Sequence, residues 1–131
     1  MQREKVENET IARFGHNGLN DKSDAFRHAF FNVINAKKVG QYTARLFSDA
    51  HESEVPQHLA KEKQMDLFNN NVGHHSISGN SMKSENELAN IIYQKLLNGD
   101  LRYLSPININ DPNFPYTHGI SNLTKLIPTD Q

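Results

Sequence analysis

The stretch Asp21-Lys22-Ser23-Asp24-Ala25-Phe26-Arg27-His28-Ala29-Phe30-Phe31-Asn32-Val33-Ile34-Asn35-Ala36-Lys37-Lys38-Val39-Gly40 decides how this chain folds. Phe26, Phe30, Val33 and Ile34 return at helical spacing, Asp21 or Ser23 can cap the start, and Gly40 can stop a helix running to about Lys38. At ~100° per residue with Asp21 at zero, Asp24, His28, Asn32 and Asn35 lie within about 60° of one line, opposite the aromatic side. A solvated helix face is usually Lys and Glu, whereas Asp, His and Asn disfavour helix and compete for backbone bonds. The stripe reads equally as the wet face of an amphipathic helix and as one wall of a site.

Working outward, the segment before it, residues 1 to 18, is polar, ends in His16-Asn17-Gly18, and holds one short helix around Val6 to Phe14. After Gly40 a second helix is expected from Gln41 to about Glu54, because Pro56 keeps Val55 out of the helical region. A third, about Gln57 to Val72, carries Leu59, Met65, Leu67 and Phe68 and stops at Gly73, and His74 to Met82 reads as loop. Ser84-Glu85-Asn86-Glu87 is a capping box opening a helix with Leu88, Ile91, Ile92, Leu96 and Leu97, closed by Asn98-Gly99. Beyond Leu104, Pro106, Pro112, Pro115 and Pro128 interrupt short apolar clusters, which predicts an irregular tail wrapping the helices. No strand alternation stands out. The expectation is an all-α fold, a compact bundle of four to five helices in a single domain over 1–131, with a helical core at 19–104 and a tail at 105–131.

At 131 residues the chain is long enough to bury a core without disulfides, and it has no cysteine, which excludes thiolate metal sites and a cysteine nucleophile. Lys and Arg number 14 against 15 Asp and Glu, so a broad basic surface for nucleic acid is disfavoured. No apolar stretch approaches the ~20 residues of a membrane span, and the opening Met1 to Thr10 lacks the apolar core of a signal peptide. A role outside the producing cell would then require carriage by a larger parent protein or a delivery machine. Histidine, at seven copies, is over-represented, and its proton and metal chemistry operates near neutral pH.

The next two helices repeat the polar pattern. In Ser48-Asp49-Ala50-His51-Glu52 the two carboxylates share a face at i, i+3 while His51 points to the Phe47 side. In the third helix Glu62, Asp66, Asn69 and Asn70 stack on one face. If the three faces converge they form a pocket inside a bundle, and oxygen and imidazole donors without sulfur suit calcium, magnesium, manganese or zinc. No strict metal motif is present. The order His51, Asn69 or Asn70, His74-His75 is similar to small metal-dependent nucleases of the His-Asn-His kind, which build their motif on a hairpin plus helix, whereas this stretch reads as helix and loop.

Three ordered blocks, Asp24-Ala25-Phe26-Arg27-His28-Ala29 with Asn32, Asp49-Ala50-His51-Glu52, and Met65-Asp66-Leu67-Phe68-Asn69-Asn70-Asn71-Val72-Gly73, resemble the signature blocks of a helical domain family of unknown function. That family is found at the C-termini of bacterial polymorphic toxins of the Rhs type, and the resemblance extends over about residues 18 to 104. It implies a toxin or effector module released from a larger secreted protein and held in check by a cognate immunity protein. It also implies that Asp24, His28, Asp49, His51, Glu52, Asp66 and Asn70 belong to a site. Phe68 departs from the pattern, standing where a polar residue or His is expected. Phe26-Arg27-His28-Ala29-Phe30 is more distantly similar to the histidine helix of small secreted phospholipases A2, with Ala29 in place of their aspartate.

The function expected from this reading is metal-assisted hydrolysis of a membrane phospholipid or other envelope phosphoester. His28 would be the general base, oriented by Asp24 or Asp66, with His51 also catalytic. Asp49, Glu52 and Asp66 would hold the cation, and Arg27, Asn32, Asn69 and Asn70 would contact substrate. A metal-dependent nuclease toxin and a non-enzymatic membrane-active or partner-binding helical toxin are the alternatives; in the last, the polar stripes would form a satisfied internal network.

Overall fold

Phe26, Val33 and Ile34 are buried on one side of the long helix, and Asp24 and Asn32 are buried on the other, so neither face is wet. This helix, α2 (Lys22–Val39), is the hub of the fold. In the computed structural model, which describes residues 2–131, it packs against α1 (Gln2–Phe14), α3 (Gln41–Glu52), α4 (Ala60–Ser76) and α5 (Glu85–Leu97). The fold is mostly all-α, as the hydrophobic spacing implies. Asp21 caps α2 by accepting from the backbone N–H of Asp24, and Gly40 ends it at φ 88°. Ser84 and Glu87 form both halves of the capping box that opens α5.

The aromatic side of α2 builds the core with α1 and α5. Phe26 packs at a tilt against Phe14 and Phe30 at ring separations of 5.6 and 5.5 Å, and Met65, Leu88, Ile92 and Leu101 close around them. Each such large side chain contributes about 2 kcal/mol by leaving water.

Several boundaries differ from the sequence expectation. α1 starts at Gln2 rather than near Val6, because it buries Val6 and Thr10 against its neighbours. α3 ends at Glu52, two residues early, where Ser53 and Glu54 turn towards Pro56, and Gln57–Leu59 is a separate 3₁₀ turn before α4. Gly73 does not stop the third long helix, and His74 and His75 are helical rather than loop. The glycine serves a close approach instead: a Cβ there would stand 2.3 Å from the Ala29 carbonyl oxygen and 2.9 Å from Asn32 Cβ.

The end of the expected helical core and the expected tail pair in a small antiparallel sheet, β1 (Arg102–Ser105) with β2 (Lys125–Pro128), Tyr103 opposite Ile127. Four-residue strands are too short for alternation to declare itself in the sequence. The tail lies against α4, where Lys61 Nζ donates to the carbonyls of Ser121 and Thr124, both at 2.7 Å.

Candidate metal centre at the junction of α2, α3 and α4

The close crossing at Gly73 brings the polar stripe of α2 onto the polar face of α4. Asp24 is 1% exposed and Asp66 7%, and the His28 ring stands between them. His28 Nε2 is 3.4 Å from Asp24 Oδ1 and 3.4 Å from Asp66 Oδ1. The three donor atoms lie within 4.8 Å of one another, a spacing that one cation could bridge.

The state of the His28 ring follows from its partners without any reference to hydrogen positions. Asn32 Nδ2 lies 2.8 Å from the backbone carbonyl of His28, which can only accept, so this atom is the amide nitrogen. The same nitrogen meets Asn70 Oδ1 at 2.8 Å, which fixes the Asn70 oxygen, and that oxygen in turn accepts from His28 Nδ1 at 3.1 Å. A neutral His28 therefore carries its proton on Nδ1 and turns the Nε2 lone pair towards two carboxylates. Three electron-pair donors facing one another repel unless a positive centre, a proton or a metal ion, sits among them.

The surroundings deepen the excess of negative charge. Asp24 is partly compensated: the Arg27 guanidinium pairs with Oδ1, and the Asn20 backbone N–H donates to Oδ2 at 2.7 Å. Asp66 Oδ1 and Glu52 Oε1 are buried with no hydrogen-bond partner. Burial first, then the charges of Asp24, Glu52 and Glu62, push the Asp66 carboxyl up to about 9. Burial likewise raises the Glu52 carboxyl, against the opposing pull of His28 and His51. Glu62 is anchored by Asn20 Nδ2 at 2.9 Å and by His118 Nδ1 at 2.7 Å, so it is held beside the cluster by the tail.

A cleft of about 460 Å³ opens over this cluster. His28, Asn32, Asn70 and Glu52 reach its floor, while Phe31, Phe47, His51 and Arg27 form part of its walls. It combines an apolar side with polar groups, the usual build of a small-molecule site.

The sequence-derived residues separate cleanly. Asp24, His28, Asp66, Glu52, Asn32 and Asn70 come together, and His51 and Arg27 line the same cleft. Arg27 is largely committed, since it also bonds Asn17 and the Gly18 carbonyl. Asp49 is exposed although it lies only about 60° around α3 from the buried Glu52, so the face these two carboxylates share is split by the packing boundary. Asn69 grips the backbone of Arg102 through both amide atoms at 2.9 Å and so holds β1 on α4. Phe68 lies under the Arg102 guanidinium at 4.5 Å, on the face of α4 opposite Asp66, so its departure from the expected pattern leaves the cluster intact. Glu62 belongs to the α4 stripe but is not among the site residues expected from the sequence, and no sequence pattern marks His118, because only the folded tail brings it there.

Ser48 and the buried His74 form a further polar pair, with Oγ and Nε2 2.8 Å apart. The Ser48 hydroxyl donates to the Arg45 carbonyl at 3.1 Å, so His74 Nε2–H is the donor between them and Nδ1 is left as a bare lone pair. The opposite tautomer would bury an unpaired N–H, the costlier arrangement. Ser48 is thus held, not activated as a nucleophile, and burial lowers His74 to about 4, keeping it neutral.

Every residue of the cluster except His118 lies within the first hundred positions. No curated protein and no solved structure matches the chain. Residues 2–100, spanning all five helices and the whole Asp24–His28–Asp66 centre, match one family model, and the chain belongs to that family, the domain of unknown function DUF6973.

Proposed function

We propose that this domain is a metal-assisted hydrolase of an ester or phosphoester bond, carried as the toxic module of a larger secreted protein and neutralised by a cognate immunity protein. The observation that supports it is the convergence of Asp24, His28 and Asp66 donor atoms beneath a cleft, with Asp66 Oδ1 unpartnered. Oxygen-rich donors with one imidazole suit magnesium, manganese, calcium or zinc.

Within this reading His28 serves the cation, because Nδ1 is spent on Asn70 and Nε2 faces the carboxylates. The base role expected for His28 passes to Glu52, which lines the cleft with one oxygen unpartnered and a raised pKa. Glu52 takes a proton from water, the resulting hydroxide forms a bond to phosphorus or to the carbonyl carbon, and the ester bond breaks. The leaving alkoxide takes a proton from His51. A cation held by Asp24, His28 and Asp66 would supply Lewis-acid polarisation of the oxygen that gains charge.

A non-enzymatic role fits less well, since a network kept only for structure would pair its buried oxygens. The charge balance also favours a phospholipid or envelope phosphoester over nucleic acid. The test is purified protein with fluorescent phospholipid, plasmid and RNA, each with and without EDTA, alongside Asp66→Asn. Lipid cleavage lost in EDTA and in the variant is expected. Cleavage of nucleic acid alone would overturn the substrate class, and activity indifferent to both EDTA and Asp66→Asn would overturn the metal centre.

A further inference from the structure

α3 is turned inside out. With Tyr42 at zero on the helical wheel, Leu46 falls near 40° and Phe47 near 140°, while Ala44, Ser48 and Glu52 fall at about 200° to 280°. An amphipathic helix normally buries the first set and wets the second. Here Ala44 and Glu52 are buried against the bundle, and Tyr42, Leu46 and Phe47 are 76%, 52% and 68% exposed. The cause lies in the site. Glu52 lies beside the cluster and Ser48 on His74, so these polar groups of α3 face inward, and Tyr42, Leu46 and Phe47, with Asp49 at their edge, are left facing out.

The exposed side is continuous with the cleft, because Phe47 belongs to both. A cleft of about 460 Å³ is of the size that encloses a drug-sized molecule, so it accepts a headgroup and the carbons next to it but not a whole phospholipid. The remainder of the lipid must lie along what adjoins the mouth, which is charged on the α1 side, at Arg3 and Glu7, and apolar on the α3 side. No helix among the described residues is long and apolar enough to cross a membrane, so contact with a bilayer would be made by a face. We infer that the Tyr42, Leu46 and Phe47 face of α3 docks on a phospholipid surface and presents the cleft to lipid headgroups. This rests on the phosphoester-hydrolase reading for its substrate, and the experiment separates the two.

Flotation with phosphatidylcholine–phosphatidylglycerol vesicles in EDTA reads docking without chemistry. Wild type and Asp66→Asn are expected to float alike, and the double variant Tyr42→Ser/Leu46→Ser to lose vesicle affinity at least tenfold, since both side chains are exposed and lie outside the cleft lining. The double variant should retain turnover of a short-chain, monomeric phosphodiester, with an unchanged circular-dichroism melt. Vesicle binding by the double variant at wild-type strength, or no vesicle binding by wild type, overturns the inference. A wild-type dimer in light scattering that the double variant dissolves also overturns it, a second copy then covering the face. Vesicle binding through α3 without cleavage of any lipid keeps the docking face and removes the hydrolase reading. Cleavage of the short-chain substrate without vesicle binding does the reverse.

Discussion

Asn32 Nδ2 and Asn70 Oδ1, on helices that cross at Gly73, are 2.8 Å apart, and this one contact sets the tautomer of His28. The amide of Asn32 is oriented by the His28 carbonyl, so the sequence of donors and acceptors closes on itself within three side chains. Two residues outside the Asp24–His28–Asp66 triad therefore decide which ring nitrogen of His28 carries its proton and which faces the carboxylates.

Removing the acceptor should free the ring. Asn70→Ala is expected to weaken binding of the divalent cation by about 10- to 100-fold, the usual loss when the partner behind a ligating histidine is removed. Isothermal titration with manganese or zinc measures it. Unchanged affinity in this variant would show that Nδ1–H···Oδ1 does not prepare the site.

Asn69, the neighbouring amide, should behave in the opposite way. Its side chain donates to and accepts from the Arg102 backbone, so Asn69→Ala leaves a half-buried pair of strand groups unanswered and should destabilise the fold by about 1–2 kcal/mol. Chemical denaturation measures that loss, and cation affinity in titration should stay at the wild-type value.

The contrast between these two asparagines marks how far the sequence could be read. Helical spacing in α2 and the capping box of α5 are local signals, and both survive in the structure. The stripe on α2 was visible too, and with it Asp24, His28 and Asn32. Both Asn69 and Asn70 are buried, and which of them faces α2 depends on the rotation of α4 against it, set by Gly73 meeting Ala29, a contact between residues 44 positions apart in the chain. Asp49 and Glu52 divide for the same reason: at three residues' separation both sides of a packing boundary are within reach. His118 is carried to Glu62 by a tail whose path no periodicity encodes.

Gly73→Ala tests that crossing. The added Cβ meets a backbone oxygen rather than a flexible side chain, so α2 and α4 must move apart. A destabilisation of about 2 kcal/mol or more in denaturant unfolding is expected, together with weaker cation binding as His28 and Asp66 separate. A variant as stable as wild type would mean that the two helices can slide without cost.

His74 predicts the acid limb of stability. Its pKa is lowered to about 4 in the fold by burial first and then by Arg45, against 6.5 in the unfolded chain. Between these values the unfolded state binds the extra proton, so this contribution is complete above pH 6.5 and is lost as pH falls towards 4. It amounts to about 3 kcal/mol. His74→Gln should be less stable at neutral pH but should show a shallower fall in melting temperature over that range.

Asp66 predicts a slope of the opposite sign. Its carboxyl, at 3.8 when unfolded, is held up at about 9 in the metal-free fold, so the native state binds more protons across that interval. The contribution is complete below about pH 3.8 and is lost as pH rises towards 9, because the ionised group must then share a buried space with Asp24 and Glu52. A bound divalent cation supplies the missing positive charge and should restore the lost stability, most strongly at the alkaline end. Melting temperatures measured from pH 5 to 9 with EDTA should decline, and with millimolar manganese or calcium the decline should flatten. Asp66→Asn keeps the shape and removes the charge, so its metal-free melt should be higher than wild type at pH 8 and indifferent to the cation. A wild-type melt that is flat with pH and unmoved by every divalent ion would leave Asp24, His28 and Asp66 as a proton-sharing cluster with no metal to hold.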